Sequence, residues 1–289
     1  MKTTIIIFSK NRTLQLKSLL LSLVSNTDCD MDAVNVIYTS DIPEISYEPL
    51  IQSFSSVNFI KEGDFLTDVK NLVKDSNSNY IQFMVDDLIV RDSYSYEVIE
   101  EFLDCHSDVD SFCLRIGTNI KCGKVPEFRE YENDILVWRT TKGLGQHWNY
   151  QWEVSSSIYR KKLVEKYLAK CRHDRETFPN PFEDHFYACM PTTYQLPLHV
   201  VAFNAIRFLF CRKYMNIACF RVSKCFTQGV NVVANIEDNI ERKFEPLTLH
   251  KKMLEGYVAD IEQLKEFIPQ QPNCGGKVFK LVKEKELKR

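Results

Sequence analysis

The first 116 residues alternate between short apolar segments and longer segments in which apolar residues recur at helical spacing. The apolar segments are rich in Ile, Val and Phe, which is typical of strands buried on both faces. These predicted strands are residues 3–8, 34–39, 57–61, 80–85 and 111–116. The predicted helices between them are residues 13–25, 43–54, 65–74 and 94–103. Because strands that alternate with helices favour parallel βαβ units, we predict an α/β fold with a mostly parallel central sheet flanked by helices.

The pattern is looser after residue 116. The elements expected there are a strand at residues 135–139, a helix at 157–168, a helix after Pro179 and Pro181, and an amphipathic helix at 249–267. A lysine-rich tail follows the last helix. These changes in pattern divide the chain into residues 1–116, 117–225 and 226–289, and we expect the last part to be a helical extension with a basic tail.

Composition narrows the class of protein. The chain has 289 residues, of which 44% are apolar and 26% are charged, so a disordered chain is excluded. A net charge of −2 argues against a nucleic-acid partner. Ten dispersed cysteines and a first apolar run too short for export indicate a cytoplasmic protein. The apolar residues 198–211 are interrupted by Asn204 and Arg207 and predict a buried element, while the tail leaves contact with the inner face of a membrane as an alternative.

Polar residues follow the first, second and fourth predicted strands, where an open α/β sheet binds its ligands. Asp86 and Asp87 come directly after the strand at 80–85. Two adjacent carboxylates repel each other, and a divalent cation would relieve the repulsion. Carboxylate oxygens suit Mg²⁺ or Mn²⁺, so we predict such an ion here, with a helix cap or an acidic turn as the alternative.

The order of these motifs resembles the nucleotide-binding half of a GT-A glycosyltransferase, most closely the family-2-like group. The matching features are Asn11-Arg12 after the first strand, a leucine-rich helix, Asp41 after the second strand, Lys70-Asn71 on a helix, and Val85-Asp86-Asp87. The sequence departs from the family in two respects: it has Val-Asp-Asp where Asp-x-Asp is usual, and Lys70 where Arg is commoner.

The resemblance implies a GT-A-like fold in which residues 1–116 bind a nucleotide sugar and 117–225 form the acceptor-binding and catalytic half. It implies that Ser9, Asn11 and Arg12 lie near the nucleotide. Asp41 would then bind the base or ribose, and Lys70 the base or diphosphate. Asp87, with Asp86 beside it, would hold Mn²⁺ or Mg²⁺ against the diphosphate.

The second half contains a further motif of the family. Asn180-Pro-Phe-Glu183-Asp184 resembles its Glu-Asp motif at a helix start. The resemblance implies that Asp184 is the catalytic base, with Glu183 as the second candidate, whereas acids at a helix start also occur for purely structural reasons. Trp148 and Trp152 lie among polar residues and could stack on acceptor sugars, or they could be the inward side chains of a half-buried strand.

These features together predict a metal-dependent glycosyltransferase of polysaccharide biosynthesis. It would move a sugar, with inversion, from a nucleoside diphosphate to a hydroxyl of a glycan or lipid-linked acceptor. One alternative is a nucleotidyltransferase acting on nucleoside triphosphates, although the Ser-Lys-Asn-Arg turn lacks the glycines usual in such enzymes. Another is a non-catalytic nucleotide- or sugar-binding protein.

Overall fold

The computed structural model describes residues 1–141, 144–189, 214–230 and 244–287. Its strands are β1 (Thr3–Lys10), β2 (Val34–Thr39), β3 (Asn58–Lys61), β4 (Tyr80–Val85), β5 (Leu88–Val90), β6 (Ser111–Cys113), β7 (Arg129–Glu130), β8 (Ile135–Arg139), β9 (Ile158–Arg160), β10 (Asn216–Phe220), β11 (Cys225–Thr227), β12 (Tyr257–Ala259) and β13 (Leu281–Lys283). Its α-helices are α1 (Thr13–Asn26), α2 (Glu48–Ser53), α3 (Phe65–Asp75), α4 (Tyr96–Cys105), α5 (Lys161–Leu168), α6 (Pro179–Cys189), α7 (Pro246–Leu254) and α8 (Ile261–Lys265).

A central sheet organises the molecule. Within the described residues it has nine strands in the order β3-β2-β1-β4-β9-β6-β10-β8-β7. Strands β1 to β4 are mutually parallel, β6 and β10 run in the same direction, and β9 and β8 run against them. The prediction of an α/β fold with a mostly parallel sheet flanked by helices is therefore confirmed.

Strand β1 is buried on both faces because its side chains alternate between two apolar layers. Ile5 and Ile7 pack in a cluster that includes residues of α1, α4 and α7. Ile6 and Phe8 pack on the opposite face with residues of α3, α5 and α6. The helices on the two faces hold the strand ends in fixed positions, which is what a binding site at those ends requires.

The predicted helix at 157–168 is only partly correct, since α5 begins at Lys161. The residues before it form β9, which pairs antiparallel with both β4 and β6. Ile158 and Tyr159 are fully buried in this position. A strand of three residues is specified by its two neighbours in the sheet, and local periodicity does not contain that information.

The predicted helix at 249–267 is wrong. Helix α7 ends at Leu254, and Gly256 then adopts a φ of +80°, a left-handed conformation that commonly terminates helices. Strand β12 follows and pairs with β13, and the chain becomes helical again only in α8. The extension is consequently a mixture of short helices and strands.

This extension packs on the helix that follows β1. His250 Nδ1 lies 2.9 Å from the hydroxyl of Thr13, and Ser18 Oγ accepts a 3.0 Å hydrogen bond from the Ala259 N–H. Leu249 is buried in the same cluster as α1. Helix α1 is thereby covered on the side away from the sheet.

The predicted buried element at 198–211 lies outside the described residues. Among the helices that the structure describes, none combines the length and apolar character needed to cross a membrane.

Candidate functional site

The loops after β1, β2 and β4 meet at a cleft with a volume of about 620 Å³. They meet there because the parallel strands bring their carboxyl ends to one edge of the sheet. The cleft is lined by Phe8, Ser9, Lys10, Arg12, Thr39, Asp41, Glu62, Val85, Asp86, Thr177, Phe178, Pro179 and Asn180. Of the residues expected to bind a nucleotide, Ser9, Arg12, Asp41 and Asp86 thus border a common space.

Asn11 joins the turns after β1 and β2. Its backbone has a φ of +58°, which Asn tolerates better than most residues, and its N–H donates to the Thr39 carbonyl at 3.2 Å. Its side-chain amide donates to Asp41 and accepts from the Ser40 hydroxyl and the Asp41 N–H. Asn11 therefore fixes the position of Asp41 in the cleft.

Asp41 also forms an ion pair with Lys10 at 2.9 Å. The hydrogen bond from Asn11, assisted by Lys10, lowers the pKa of Asp41 below its usual value. Because the side chain is exposed to the cleft, Asp41 is an ionised acceptor available to a ligand N–H or O–H.

Arg12 bridges the two adjacent aspartates. Its Nη1 atom lies 3.1 Å from Asp86 Oδ1 and 3.0 Å from Asp87 Oδ2. Asp86 is buried and also accepts the N–H of Lys10 at 3.1 Å. Burial raises the pKa of Asp86 to about 6, although Arg12 opposes the shift. The guanidinium stabilises a pair of carboxylates that would otherwise repel each other.

The aspartate pair fits a hard divalent cation by its donor chemistry. Both side chains offer carboxylate oxygens, the ligands that Mg²⁺ and Mn²⁺ prefer. Within the described ranges no group of three or more potential metal-ligating side chains occurs. An ion held by Asp87 and Asp86 would take its remaining ligands from phosphate oxygens and water, which is usual for Mg²⁺.

Helix α6 carries the two candidate bases in different environments. Glu183 is half-buried, accepts a hydrogen bond from the Tyr150 hydroxyl and accepts another from the Val154 N–H at 2.7 Å. Burial raises the pKa of Glu183 to about 7. Asp184 is exposed, and partial desolvation raises its pKa. Asp184 lies one helical turn after Asn180, a residue of the cleft wall.

Arg115 is a charged residue of this region that the sequence analysis missed. It follows β6 and pairs with Glu153 at 2.8 Å. Burial lowers the pKa of Arg115, but the charges of Glu153, Glu183 and Asp87 contribute to a net rise. The Arg115 guanidinium therefore interacts electrostatically both with Glu183 of α6 and with Asp87 of the aspartate pair. Arg115 falls inside the predicted strand at 111–116, so the strand-end rule did not select it. In the structure β6 already ends at Cys113, and Arg115 lies beyond the strand end.

Seven predicted residues are not among those that line the cleft: Asn11, Lys70, Asp87, Trp148, Trp152, Glu183 and Asp184. Asn11 and Asp87 bond to lining residues, Asp41 and Arg12 respectively. Lys70 Nζ is 3.4 Å from the Cys171 carbonyl, and the cleft-lining residues do not include it. Trp148 and Trp152 are fully buried. Trp152 stacks on Phe186 at a centroid distance of 4.7 Å, so neither tryptophan presents a ring face to an acceptor in this structure, and packing explains both.

Comparison with models of known protein families finds no match to this chain. A curated protein, the bifunctional glycosyltransferase pgtA of Dictyostelium discoideum, is 31% identical over 180 residues. The match covers 54% of this chain and 23% of that protein, so the chain spans less than a quarter of its relative's length. This similarity supports the resemblance to glycosyltransferases that the motifs indicated.

Solved structures give weaker similarities. TarS of S. aureus is 15% identical with a TM-score of 0.43, over 65% of this chain and 34% of TarS. TarS 1-349 in complex with UDP is 14% identical with a TM-score of 0.42, over 65% of this chain and 55% of that one. A cytidylyltransferase from Leptospira borgpetersenii is 14% identical with a TM-score of 0.35, over 72% and 74% of the two chains. At these TM-scores the superpositions add nothing to the fold described above.

Proposed function

We propose that the chain is a glycosyltransferase that moves a sugar from a nucleoside diphosphate to a hydroxyl group. The observation that carries the proposal is the cleft in which Arg12 and Asp86 lie together with Asp41. One part of this cleft offers the Arg12 guanidinium and the Asp86 carboxylate, and Arg12 also binds Asp87 beside it. Another part offers Asp41 as an exposed ionised acceptor. The 31% sequence identity to a glycosyltransferase over 180 residues supports the same class of reaction.

The donor would span these two parts of the cleft. Its diphosphate would lie near Arg12, whose guanidinium can donate to phosphate oxygens. Its ribose or base would donate a hydrogen bond to Asp41. This arrangement uses the charges at the strand ends and leaves the sugar free to approach helix α6.

Asp87 and Asp86 would hold Mg²⁺ or Mn²⁺. When bound, such an ion supplies positive charge that stabilises a departing diphosphate. The protein's own contribution is the Arg12 guanidinium, which is fixed by two carboxylates before a ligand arrives.

The acceptor hydroxyl needs a base, and we propose Asp184 in an inverting displacement. Its exposure supports the proposal, because an incoming hydroxyl can reach it. Glu183 is the second candidate, since its pKa of about 7 suits a base near neutral pH. A glycan or a lipid-linked saccharide is the proposed acceptor.

The proposal is tested by incubating the chain with UDP-, GDP-, CDP- and dTDP-sugars and Mn²⁺, with release of the nucleoside diphosphate as the readout. We expect turnover with at least one donor, its loss in excess EDTA, and its loss in Asp87→Asn. Asp75→Asn is the matched control, because Asp75 is an exposed acid at the end of α3. A release of pyrophosphate from nucleoside triphosphates, with no turnover of any nucleotide sugar, would instead identify a nucleotidyltransferase.

The two candidate bases are separated by Asp184→Asn and Glu183→Gln. If Asp184 is the base, its amide variant loses transfer to the acceptor but binds the nucleotide normally. Glu183→Gln then retains transfer to the extent that it folds, which its melting temperature reports. The reverse result assigns the base to Glu183.

A further inference from the structure

Phe178 is an exposed aromatic ring in a cleft wall. The described part of the chain has six exposed large apolar side chains, and Phe178 is the aromatic one, with 46% of its surface exposed. It lines the same cleft as Arg12 and Asp41. An apolar ring left open to water inside a concave site gains free energy when a ligand covers it.

The position of this ring along the cleft follows from the strand order. The order β3-β2-β1-β4 puts Arg12 and Asp86 near β1 and β4, and puts Asp41 and Glu62 after β2 and β3. Three strand spacings, about 14 Å, separate β4 from β3. A donor whose diphosphate lies near Arg12 would thus extend its base towards β2 and β3.

The loop that carries Phe178 is attached on the β3 side. His173 Nδ1 lies 2.9 Å from Asp64 Oδ1, at the start of the helix that follows β3. Lys70, on the same helix, reaches the Cys171 carbonyl at 3.4 Å. After Phe178 the chain enters α6, where the ring of Phe182 packs between Phe65 at 5.8 Å and Phe83 of β4 at 5.6 Å, so the helix runs back towards β4. The contact between His173 and Asp64 therefore brings the start of the loop to the β3 side of the cleft, where the base is expected.

We propose that Phe178 stacks on the nucleobase of the donor and holds it beside Asp41. The inference rests on the proposed function and adds a residue that selects for a planar, nitrogen-containing ring. A base offers a flat face to the phenyl ring and an N–H edge to a carboxylate, and the cleft supplies both partners. Bare phosphate or pyrophosphate would use the Arg12 end and gain nothing from Phe178.

Calorimetric titrations of four proteins test this role: the wild-type chain, Phe178→Ala, Phe178→Leu and Phe178→Tyr. The ligands are UDP, GDP, CDP, dTDP and inorganic pyrophosphate, each with Mg²⁺. We expect the Ala and Leu variants to bind the preferred nucleoside diphosphate about tenfold to a hundredfold more weakly. The Tyr variant retains a flat ring and should bind within about twofold of wild type. The affinity for pyrophosphate should be the same in all four proteins.

The Leu variant distinguishes stacking from simple apolar packing. If Phe178→Leu binds the nucleotide as well as Phe178→Tyr does, the flat ring is not required and the proposal is overturned. Wild-type affinity in Phe178→Ala, or an equal loss of nucleotide and pyrophosphate binding, also overturns it. Failure of the wild-type chain to bind any nucleoside diphosphate would refute the proposed function itself, which is a different result.

Discussion

At the residue scale, Arg12 is the group on which the site depends. One guanidinium bonds to two carboxylates, and its side chain is only 11% exposed. The Asp86 side chain is still less exposed, at 4%, so its charge is tolerated mainly because Arg12 lies beside it. The contact with the two carboxylates stabilises the strand end. It also fixes the Arg12 guanidinium at the position where an anionic ligand would bind.

We predict that Arg12→Met lowers the free energy of unfolding by about 3–5 kcal/mol, because it leaves a buried carboxylate without its cation. Chemical denaturation of the variant measures the loss. The double variant Arg12→Met, Asp86→Asn should recover part of it, since the unpaired charge is then removed. A loss below about 1 kcal/mol in the single variant would show that Arg12 is not the partner that makes Asp86 tolerable.

Glu183 gives a prediction about pH. Burial raises the pKa of its carboxyl to about 7 from a usual 4.5, so between these values the folded chain binds a proton that the unfolded chain has lost. The stability contributed by this group is therefore present below the lower pKa and is lost as the pH rises through the higher one.

Glu183→Gln cannot titrate at this position. The free energy of unfolding of wild type minus that of the variant should accordingly fall as the pH rises from about 5 to about 8. Denaturant titrations at several pH values measure this difference. A difference that stays constant over the range would mean that the pKa of Glu183 is not raised.

The strand-end rule explains which site residues the sequence could reveal. Ser9, Asp41 and Asp86 follow apolar strands, and all of them line the cleft. Lys70 was selected by resemblance alone, and its amine contacts the carbonyl of another loop. Phe178 carries no signal in the sequence, because an exposed phenylalanine is recognised only when the surrounding surface is known.

At the element scale, the spacing of apolar residues predicted the bounds of an element well where that element is long or is buried on both faces. Strand β4 was predicted with its observed bounds, and α1 within one residue. The pattern failed at β12 and β9, which are three residues long and owe their conformation to partners distant in sequence. Tyr257 pairs with Lys283, 26 positions away, and periodicity within one segment cannot reveal such a pairing.

Helix α7 provides a prediction at this scale. Leu249 is 1% exposed against the cluster that contains α1, so Leu249→Ala should lower the free energy of unfolding by about 2–5 kcal/mol. Leu254 lies on the same helix with 58% of its surface exposed. Leu254→Ala should therefore change the free energy of unfolding by no more than about 0.5 kcal/mol. Thermal and denaturant unfolding compare the two. Equal effects would mean that the extension does not pack on α1 as described.

At the scale of the whole molecule, the sheet joins the two halves of the chain. Strand β9, from the second half, lies between β4 and β6 of the first, and β10 extends the sheet beyond β6. Helix α6 then contributes residues to the cleft formed by the first half. A donor bound at the strand ends would consequently contact both halves, which is what transfer to an acceptor requires.

The central proposal is that a nucleoside diphosphate binds across the strand ends, with its diphosphate at Arg12 and its base at Asp41. A crystal structure of the chain with its preferred nucleoside diphosphate and Mn²⁺ tests it most directly. We predict phosphate oxygens within hydrogen-bond distance of the Arg12 guanidinium and a base N–H or ribose hydroxyl donating to Asp41. Nucleotide density at any other surface of the molecule, with this cleft filled only by water, would contradict the claim.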